Sequence, residues 1–384
     1  MRLIVVSQTY IVASNQGKYV EMKRLYADLQ LRMLTPPSVT HIFGRFARDV
    51  APGMSVKELI DIRGFFTGTP MGFVLDPLRF ARVLREFCPD WVQIEADPYS
   101  AAGVETVFLT RLFRPTAKIS FFTWDNLARE PRWPINVVKW TLNRYSLKRA
   151  ELVMCGNREA ESLLRGTKRY TGRTAVLPQL GLEPDAYLKP KNRKLKATLN
   201  IPETVPVIGY MGRLVPEKGV MLLLESLHRL RELPWHAIIV GSGPIEKEIG
   251  GKWKAVFGNR LHFRSAVPHP EVPDYMLAMD IFVLPSYATP RWKEQFGLVL
   301  AQAMMAAVPC IGSSSGAIPE VIGPGGLVFK EKDVGALTKL LERLLNSEAE
   351  RESLGKAART FALAHYTNAA VAKAYLEAFH SIGC

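Results

Sequence analysis

Arg213 and Lys218 stand five residues apart in GYMGRLVPEKGVMLLLESL (209–227). An apolar run ends there, a Pro/Gly loop follows, and a helical pattern opens at Gly219. On such a loop the two charges can converge on one diphosphate, Arg as a planar fork and Lys as a point charge. A second stretch, PSYATPRWKEQFGLVLAQAMMAAVPCIGSSSGAIPEVI (285–322), carries Glu294 and, eight residues on, Gln302. It reads as a strand end, an irregular loop and a helix opening near Phe296 and Gly297. A second strand (PCIGSS) and a glycine-containing turn into another helix at Ala317 come next. Open α/β sheets build anion sites from such strand–loop–helix units at the carboxyl ends of their strands. The backbone N–H groups of Gln295, Phe296, Gly297 and Leu298 suit phosphate oxygens, and Gly297 allows close approach of backbone to ligand. Helical throughout, the segment from Glu294 to Gln302 would span roughly 12 Å, a distance that fits two hydroxyl-bearing ends joined by a diphosphate. The plainer readings are a solvated Arg/Lys loop and a Glu294 that only complements a helix N-terminus.

The elements that must hold these residues follow from the alternation of short apolar runs with longer amphipathic ones, which predicts doubly wound α/β sheets. In the N-terminal half, strands are expected at 3–7, 91–95, 118–123, 151–157 and 174–178, with helical patterns from Gly17 through Leu29 and at 77–87. The Gly-, Phe- and Arg-rich region 44–72 has weaker periodicity and reads as loops. A second α/β set begins at 207–213 and continues with strands at 236–243, 261–265, 281–286, 309–314 and 327–330. Helices are expected at 219–232, 335–346 and 349–364. The polar, basic, proline-punctuated segment 183–204 reads as an interdomain linker. The expected organisation is therefore a domain over 1–182, the linker, a domain over 205–365, and a last helical stretch over 366–384.

The bulk numbers narrow the classes. A chain of 384 residues, 48% hydrophobic, can hold two ordinary cores. No run of 18 apolar residues predicts a membrane span, and the opening MRLIVVSQTY reads as a strand rather than a signal peptide. Four scattered cysteines without paired spacing favour reduced thiols, a cytoplasmic setting and no metal centre. The net charge of +14 is uneven, +10 over residues 1–180 and +4 over the remainder. That excess points the first half towards anionic lipid, an acidic acceptor or nucleic acid, against the alternative of a merely solvated surface. No helix-turn-helix, finger or RNA-binding signature accompanies the charge, so no nucleic-acid partner is expected. Residues 129–149 mix basic side chains with Trp133, Trp140 and Tyr145, a pattern for a helix against anionic headgroups or for one packed on the sheet.

The 285–322 stretch resembles the donor-site signature of the retaining glycosyltransferases of family four, which share the GT-B fold and use nucleotide sugars. In that family a glutamate, seven intervening residues and a second glutamate span this loop and helix. Glu294 matches the first, and Gln302 stands where the second would be. The resemblance implies two Rossmann-like doubly wound domains facing across a cleft, with the last helix returning to the first domain. It implies that Arg213 and Lys218, beside Gly212, hold the donor diphosphate and stabilise it as leaving group, and that Glu294 receives sugar hydroxyls. Val267 falls where backbone groups read the base, and Ser315, Gly316 and Ala317 would lie near the hexose. The activity implied is metal-free, retaining transfer of a hexose-type sugar to a glycan, lipid-linked or small-molecule hydroxyl, as in polysaccharide biosynthesis at the inner face of a membrane. Gln302 offers one carbonyl and an NH₂ group where a carboxylate would take both ribose hydroxyls. The rival class is a catalytically degenerate protein that binds a nucleotide sugar or glycan.

In the N-terminal half the resemblance is thinner. Asn15, Gln16 and Gly17 match the position of the family's glycine-rich loop with one glycine. Many members place a histidine over the transferred sugar in the region matching 121–134, but none of the seven histidines lies there. Asp125 is then the candidate polar contact, with an ordinary helix cap as its alternative. Glu95 and Asp97, at another strand end, could contact or deprotonate an acceptor hydroxyl, although Pro98 equally marks a turn.

Overall fold

In the computed structural model, residues 1–41, 44–65, 73–128 and 135–383 are described. The chain divides into two compact units, residues 1–181 with 368–384, and residues 182–367.

The first unit is built on a seven-stranded parallel sheet. Its strands are β1 (Arg2–Val6), β2 (Gln30–Thr35), β3 (Leu59–Asp61), β4 (Trp91–Ile94), β5 (Lys118–Thr123), β6 (Leu152–Cys155) and β7 (Arg173–Val176). They lie in the order β7-β6-β5-β4-β1-β2-β3. The central strands are buried on both faces, which is why they read as continuous apolar runs rather than alternating ones. Helices α1 (Gly17–Leu25), α2 (Pro77–Phe87), α3 (Ala101–Phe113), α4 (Ile135–Leu147) and α5 (Arg158–Gly166) make the connections. The α2 boundary shows how local chemistry sets them. Asp76 accepts from the backbone N–H groups of Leu78 (3.0 Å) and Arg79 (3.1 Å), Pro77 fits the first turn, and Cys88 closes the helix at φ 48°.

The second unit has a six-stranded parallel sheet. It contains β8 (Val207–Met211), β9 (His236–Val240), β10 (Leu261–Arg264), β11 (Ile281–Leu284), β12 (Cys310–Ser313) and β13 (Gly326–Phe329), in the order β10-β9-β8-β11-β12-β13. Its helices include α6 (Arg193–Thr198), α7 (Val220–Arg229), α8 (Val272–Met276), α9 (Leu298–Met305), α10 (Ile318–Ile322), α11 (Val334–Asn346) and α12 (Glu348–His365). The closing helix α13 (Asn368–His380) packs on α1 in the first unit, burying Val371, Tyr375 and Phe379 with Tyr19 and Met22. Each sheet has one place where the chain reverses its direction of growth, β1/β4 in the first and β8/β11 in the second. Ligand sites of open α/β sheets form at the carboxyl ends of the strands flanking such a point.

Several expectations need correction. Region 44–72 is not all loop: Leu59–Asp61 is the edge strand of the main sheet, paired with Met33–Thr35. Residues 66–72 lie outside the described residues. The helical pattern from Gly17 stops at Leu25, because Leu29 belongs to the turn entering β2. The 183–204 segment does not run between units. Tyr187 and Ile201 are buried in the second unit's core, and α6 lies within the segment. Lys196 is buried and paired with Asp280 at 3.3 Å, while the segment's other charged residues are exposed. Among the described residues no helix is long and apolar enough to cross a membrane.

Candidate active site

The second unit gathers its site from the segments that follow β8 and β11. Beyond β8 the chain runs through Gly212, Arg213 and Leu214, and this loop is held by the neighbouring turn. Gly212 N–H donates to Val240 O (3.0 Å) and Leu214 N–H to Ser242 O (2.8 Å). The GSGP turn at 241–244 is thus a support for the Arg213 loop. Lys218 follows in a single turn of 3₁₀ helix, 216–218, just before α7.

Lys218 and Glu294 meet directly. Lys218 Nζ lies 2.6 Å from Glu294 Oε2, and Ser286 Oγ donates to the same oxygen at 3.1 Å. The Lys218 ammonium also sits 4.8 Å from the Trp292 ring centroid. The Glu294 side chain is only 7% exposed. Arg213 is half-buried and makes no side-chain hydrogen bond or ion pair among the described residues, which leaves its five donors uncommitted there. The Tyr210 hydroxyl donates to Arg213 O at 2.8 Å, and burial, with Glu294 second, raises its pKa.

Two glycines make the packing possible. Gly316 has φ 56°, and a Cβ there would stand 2.0 Å from Glu294 O. That close approach lets Ala317 N–H donate to the same carbonyl at 3.1 Å, tying the turn before α10 to the Glu294 loop. Gly297, at φ 75°, is the N-cap of α9, where a Cβ would press on Leu284 at 2.9 Å. Beside the turn, Ser315 Oγ is buried without a hydrogen-bond partner among the described residues, which marks it as a candidate ligand contact.

Helix α9 begins at Leu298, so Glu294 precedes the helix and the regular two-turn spacing to Gln302 does not apply. Gln295 is exposed, whereas Phe296 turns into the core edge-on to Tyr366, with centroids 5.4 Å apart. Gln302 is 3% exposed and lies close enough to Tyr187 to offset part of the rise that burial gives the Tyr187 pKa, to about 12. Val267, just beyond β10, is half-buried against the same core.

Two candidates belong to the first unit. Gly17 starts α1, and the space its Cβ would occupy is filled by Asn368 at 2.3 Å; close packing accounts for this glycine. Neighbouring Gln16 is spent on Tyr10 O, Asp49 O and Ala51 N–H. Asp125 caps no described helix. It is 7% exposed and neutralised by Lys168 at 3.0 Å, with Lys139 at 3.9 Å.

Sequence reasoning missed Lys18, whose side chain is fully buried. Its Nζ donates to Glu95 Oε1 (2.9 Å) and Gln179 O (2.8 Å) and lies 3.7 Å from the Tyr375 ring centroid. Burial lowers its pKa to about 8 against the opposing pull of Glu95. Glu95 also accepts from the Tyr19 hydroxyl (3.0 Å) and Gln179 Nε2 (2.8 Å). Trp292, Ser286 and Tyr187 were missed as well. Only Trp292, two residues before Glu294, carried a local signal.

Both sheets, their strand orders and these switch points define a protein of the GT-B type. HepE from Anabaena, solved in complex with UDP and also with UDP-glucose, matches 99% of this chain over 100% of its own at TM-score 0.71 and 18% identity. Residues 191–361, under half of the chain, match the family described as glycosyl transferases group 1. TuaC of Bacillus subtilis (strain 168), a glycosyltransferase named for teichuronic acid biosynthesis, is 29% identical over 187 residues, 48% of this chain and 45% of TuaC. Alpha-D-kanosaminyltransferase of Streptomyces kanamyceticus is 23% identical over 341 residues, 84% of this chain and 86% of that enzyme. The chain thus spans less than half of the first relative and most of the second.

Proposed function

We propose that the protein transfers a hexose-type sugar from a nucleotide-sugar donor to a hydroxyl acceptor, with retention of configuration and without a metal. The observation that carries this reading is the charge arrangement at β8/β11, where uncommitted Arg213 stands five residues from a Lys218 shared with Glu294. A departing diphosphate needs positive charge placed in advance, and two cations at one strand-end loop supply it. Lys218 has three donors, so its bond to Glu294 leaves others for phosphate oxygens. Glu294, fixed by Lys218 and Ser286, positions the hexose. Gly212, Gly297, Leu298, Gly316 and Ala317 line the donor's path with backbone. The nearest catalytic route is same-face substitution, with positive charge developing at the sugar carbon; it needs no carboxylate nucleophile. The UDP complexes of HepE make UDP the first nucleotide to try.

The first unit is proposed to serve a glycan or lipid-linked acceptor in the cytoplasm, at the inner face of the membrane. α4 exposes Val137, Val138 and Trp140, and Arg144 lies 5.4 Å from the Trp140 ring centroid. α3 beside it exposes Phe108 and Leu112, and α2 exposes Arg79, Arg82 and Arg85. Apolar anchors among cations suit anionic headgroups. Sedimentation with phosphatidylglycerol vesicles but not phosphatidylcholine ones is expected, and its persistence in Trp140→Ala/Arg144→Glu would remove this contact.

The principal test is a thermal-shift series with UDP, GDP, ADP and their sugar conjugates, since binding to the folded state raises the midpoint. One nucleotide should stabilise the wild type and fail to stabilise Arg213→Ala. The buried, uncharged Gln302 favours one second reading, a protein that binds the nucleotide sugar without turnover. Donor hydrolysis or transfer separates the two.

A further inference from the structure

The first unit holds a cavity of about 210 Å³ at the carboxyl ends of β1, β4 and β5, beside its own switch point. Ser7, Thr9, Glu95, Asp97, Trp124 and Gln179 contribute its polar and aromatic wall, and no lysine, arginine or histidine is among the described lining residues. We propose that this cavity binds a single polyhydroxylated ring, a sugar or cyclitol, that carries hydroxyl or amino groups and no phosphate or carboxylate. Resting on the transfer reading above, that ring is the acceptor's.

Charge decides the class. Glu95 is balanced by Lys18, which approaches it from behind the wall. Asp97 is not balanced in that way. Its Oδ1 accepts from the Thr123 hydroxyl (2.6 Å) and its Oδ2 from the Tyr99 hydroxyl (3.0 Å), both neutral donors. Asp97 makes no ion pair among the described residues, and Lys139 and Lys168, 3.7 and 5.8 Å from the Tyr99 ring centroid, pair with Asp125. An ionised carboxylate has about four acceptor positions, so Asp97 can take further bonds from a ligand hydroxyl or ammonium, whereas a ligand anion would be repelled. Opposite in character, Trp124 is fixed by its Nε1–H donated to Gln179 Oε1 at 2.8 Å and by edge contact with Phe122. It offers an apolar face to the C–H side of a ring. The volume is below the ~300–1,000 Å³ of pockets for larger ligands, which limits the occupant to one ring. The basic outer surface of this half therefore does not describe the acceptor it receives.

Glucose, glucosamine and myo-inositol, with glucose 6-phosphate and glucuronate as charged counterparts, test this by saturation-transfer NMR on the full chain. At least one of the first three should bind saturably, and the anions at least ~10-fold more weakly than their parents. Asp97→Asn should weaken glucosamine roughly 10-fold, and Asp97→Glu, which keeps the charge, should largely restore it. No binding by the uncharged or amino rings up to ~100 mM, preferred binding of an anion, or an unchanged Asp97→Asn would overturn the proposal. Nucleotide binding measured on the same samples separates the two readings. Rings without nucleotide would sink the transfer reading alone; nucleotide without rings would sink this one alone.

Discussion

The two switch points carry the same pair of residue types in the same topological places. In the first unit Lys18, from the segment after β1, meets Glu95 at the end of β4; in the second, Lys218, from the segment after β8, meets Glu294 beyond β11. The separations are alike, 2.9 and 2.6 Å, but the surroundings are not. Lys18 and Glu95 have side-chain exposures of 0% and 0%, against 14% and 7% for Lys218 and Glu294. The sealed pair is saturated by Tyr19, Gln179 and the Tyr375 ring. The open pair shares its strand-end loops with Arg213 and Ser315, whose side chains have no hydrogen-bond partner among the described residues. A doubly wound sheet brings a lysine and a glutamate together at its switch point twice here; Lys18 is sealed behind Glu95, which lines the first unit's cavity, whereas Lys218 is itself partly open.

The largest expected effect breaks the open site. Arg213→Ala should lower turnover by about 10²–10³, the usual scale for losing a donor that stabilises developing negative charge. Its stability should stay within about 0.5 kcal/mol, since no partner is stranded. Lys218→Ala should lower turnover comparably and also lower the unfolding midpoint, because Glu294 loses its counter-charge in a nearly buried setting. Equal stability for both variants would show that the open pair is not coupled to the fold.

The sealed pair should respond in the opposite sense, in stability first. Lys18→Met leaves Glu95 buried without a cation, an expected cost of about 3–5 kcal/mol in denaturant unfolding. Lys18→Met/Glu95→Leu should recover much of it. The pH dependence has a defined sign. Lys18 releases its proton near pH 8 when folded but only near 10.5 when unfolded, so the unfolded chain binds more protons between those values and stability gains with pH there. The burial of Tyr10, Tyr19 and Tyr375, which raises their pKa values, opposes this above about pH 10. The stability difference between wild type and the double variant should therefore grow from pH 8 to 10. A flat difference would mean that Lys18 keeps its proton throughout that range.

How far this was legible follows from what each residue does. Most apolar strands of both sheets were readable to within about three residues because parallel strands buried on both faces cannot alternate, but Gln30–Thr35, which pairs with Arg2–Val6, was not expected. Leu59–Asp61 was lost because an edge strand of three residues leaves no periodic trace. Arg213, Lys218 and Glu294 announced themselves through loop and glycine punctuation. Lys18 could not. Its helix gives it a position on the periodic face that an apolar residue would share, and only Glu95, 77 residues away, makes its burial tolerable. Gly17 shows the converse, a glycine whose resemblance suggested a ligand and whose space is taken by Asn368. The 183–204 segment misled through composition, since its few buried residues, Tyr187 among them, carry its placement.

Tyr187 bears on the smallest prediction, Gln302→Glu, which would make the open site's second acceptor ionic. If Gln302 faces the donor's ribose, the carboxylate should strengthen nucleotide binding by up to about 10-fold through charge-assisted hydrogen bonds. The same change should lower the unfolding midpoint of the free protein, because an ionised group held at 3% exposure loses most of its solvation. Nucleotide should then narrow that deficit. Tighter binding with lower free stability would mean that the glutamine trades affinity for an uncharged core beside Tyr187. Unchanged affinity would place the ribose elsewhere, leaving Gln302 as saturated as the sealed pair of the first unit.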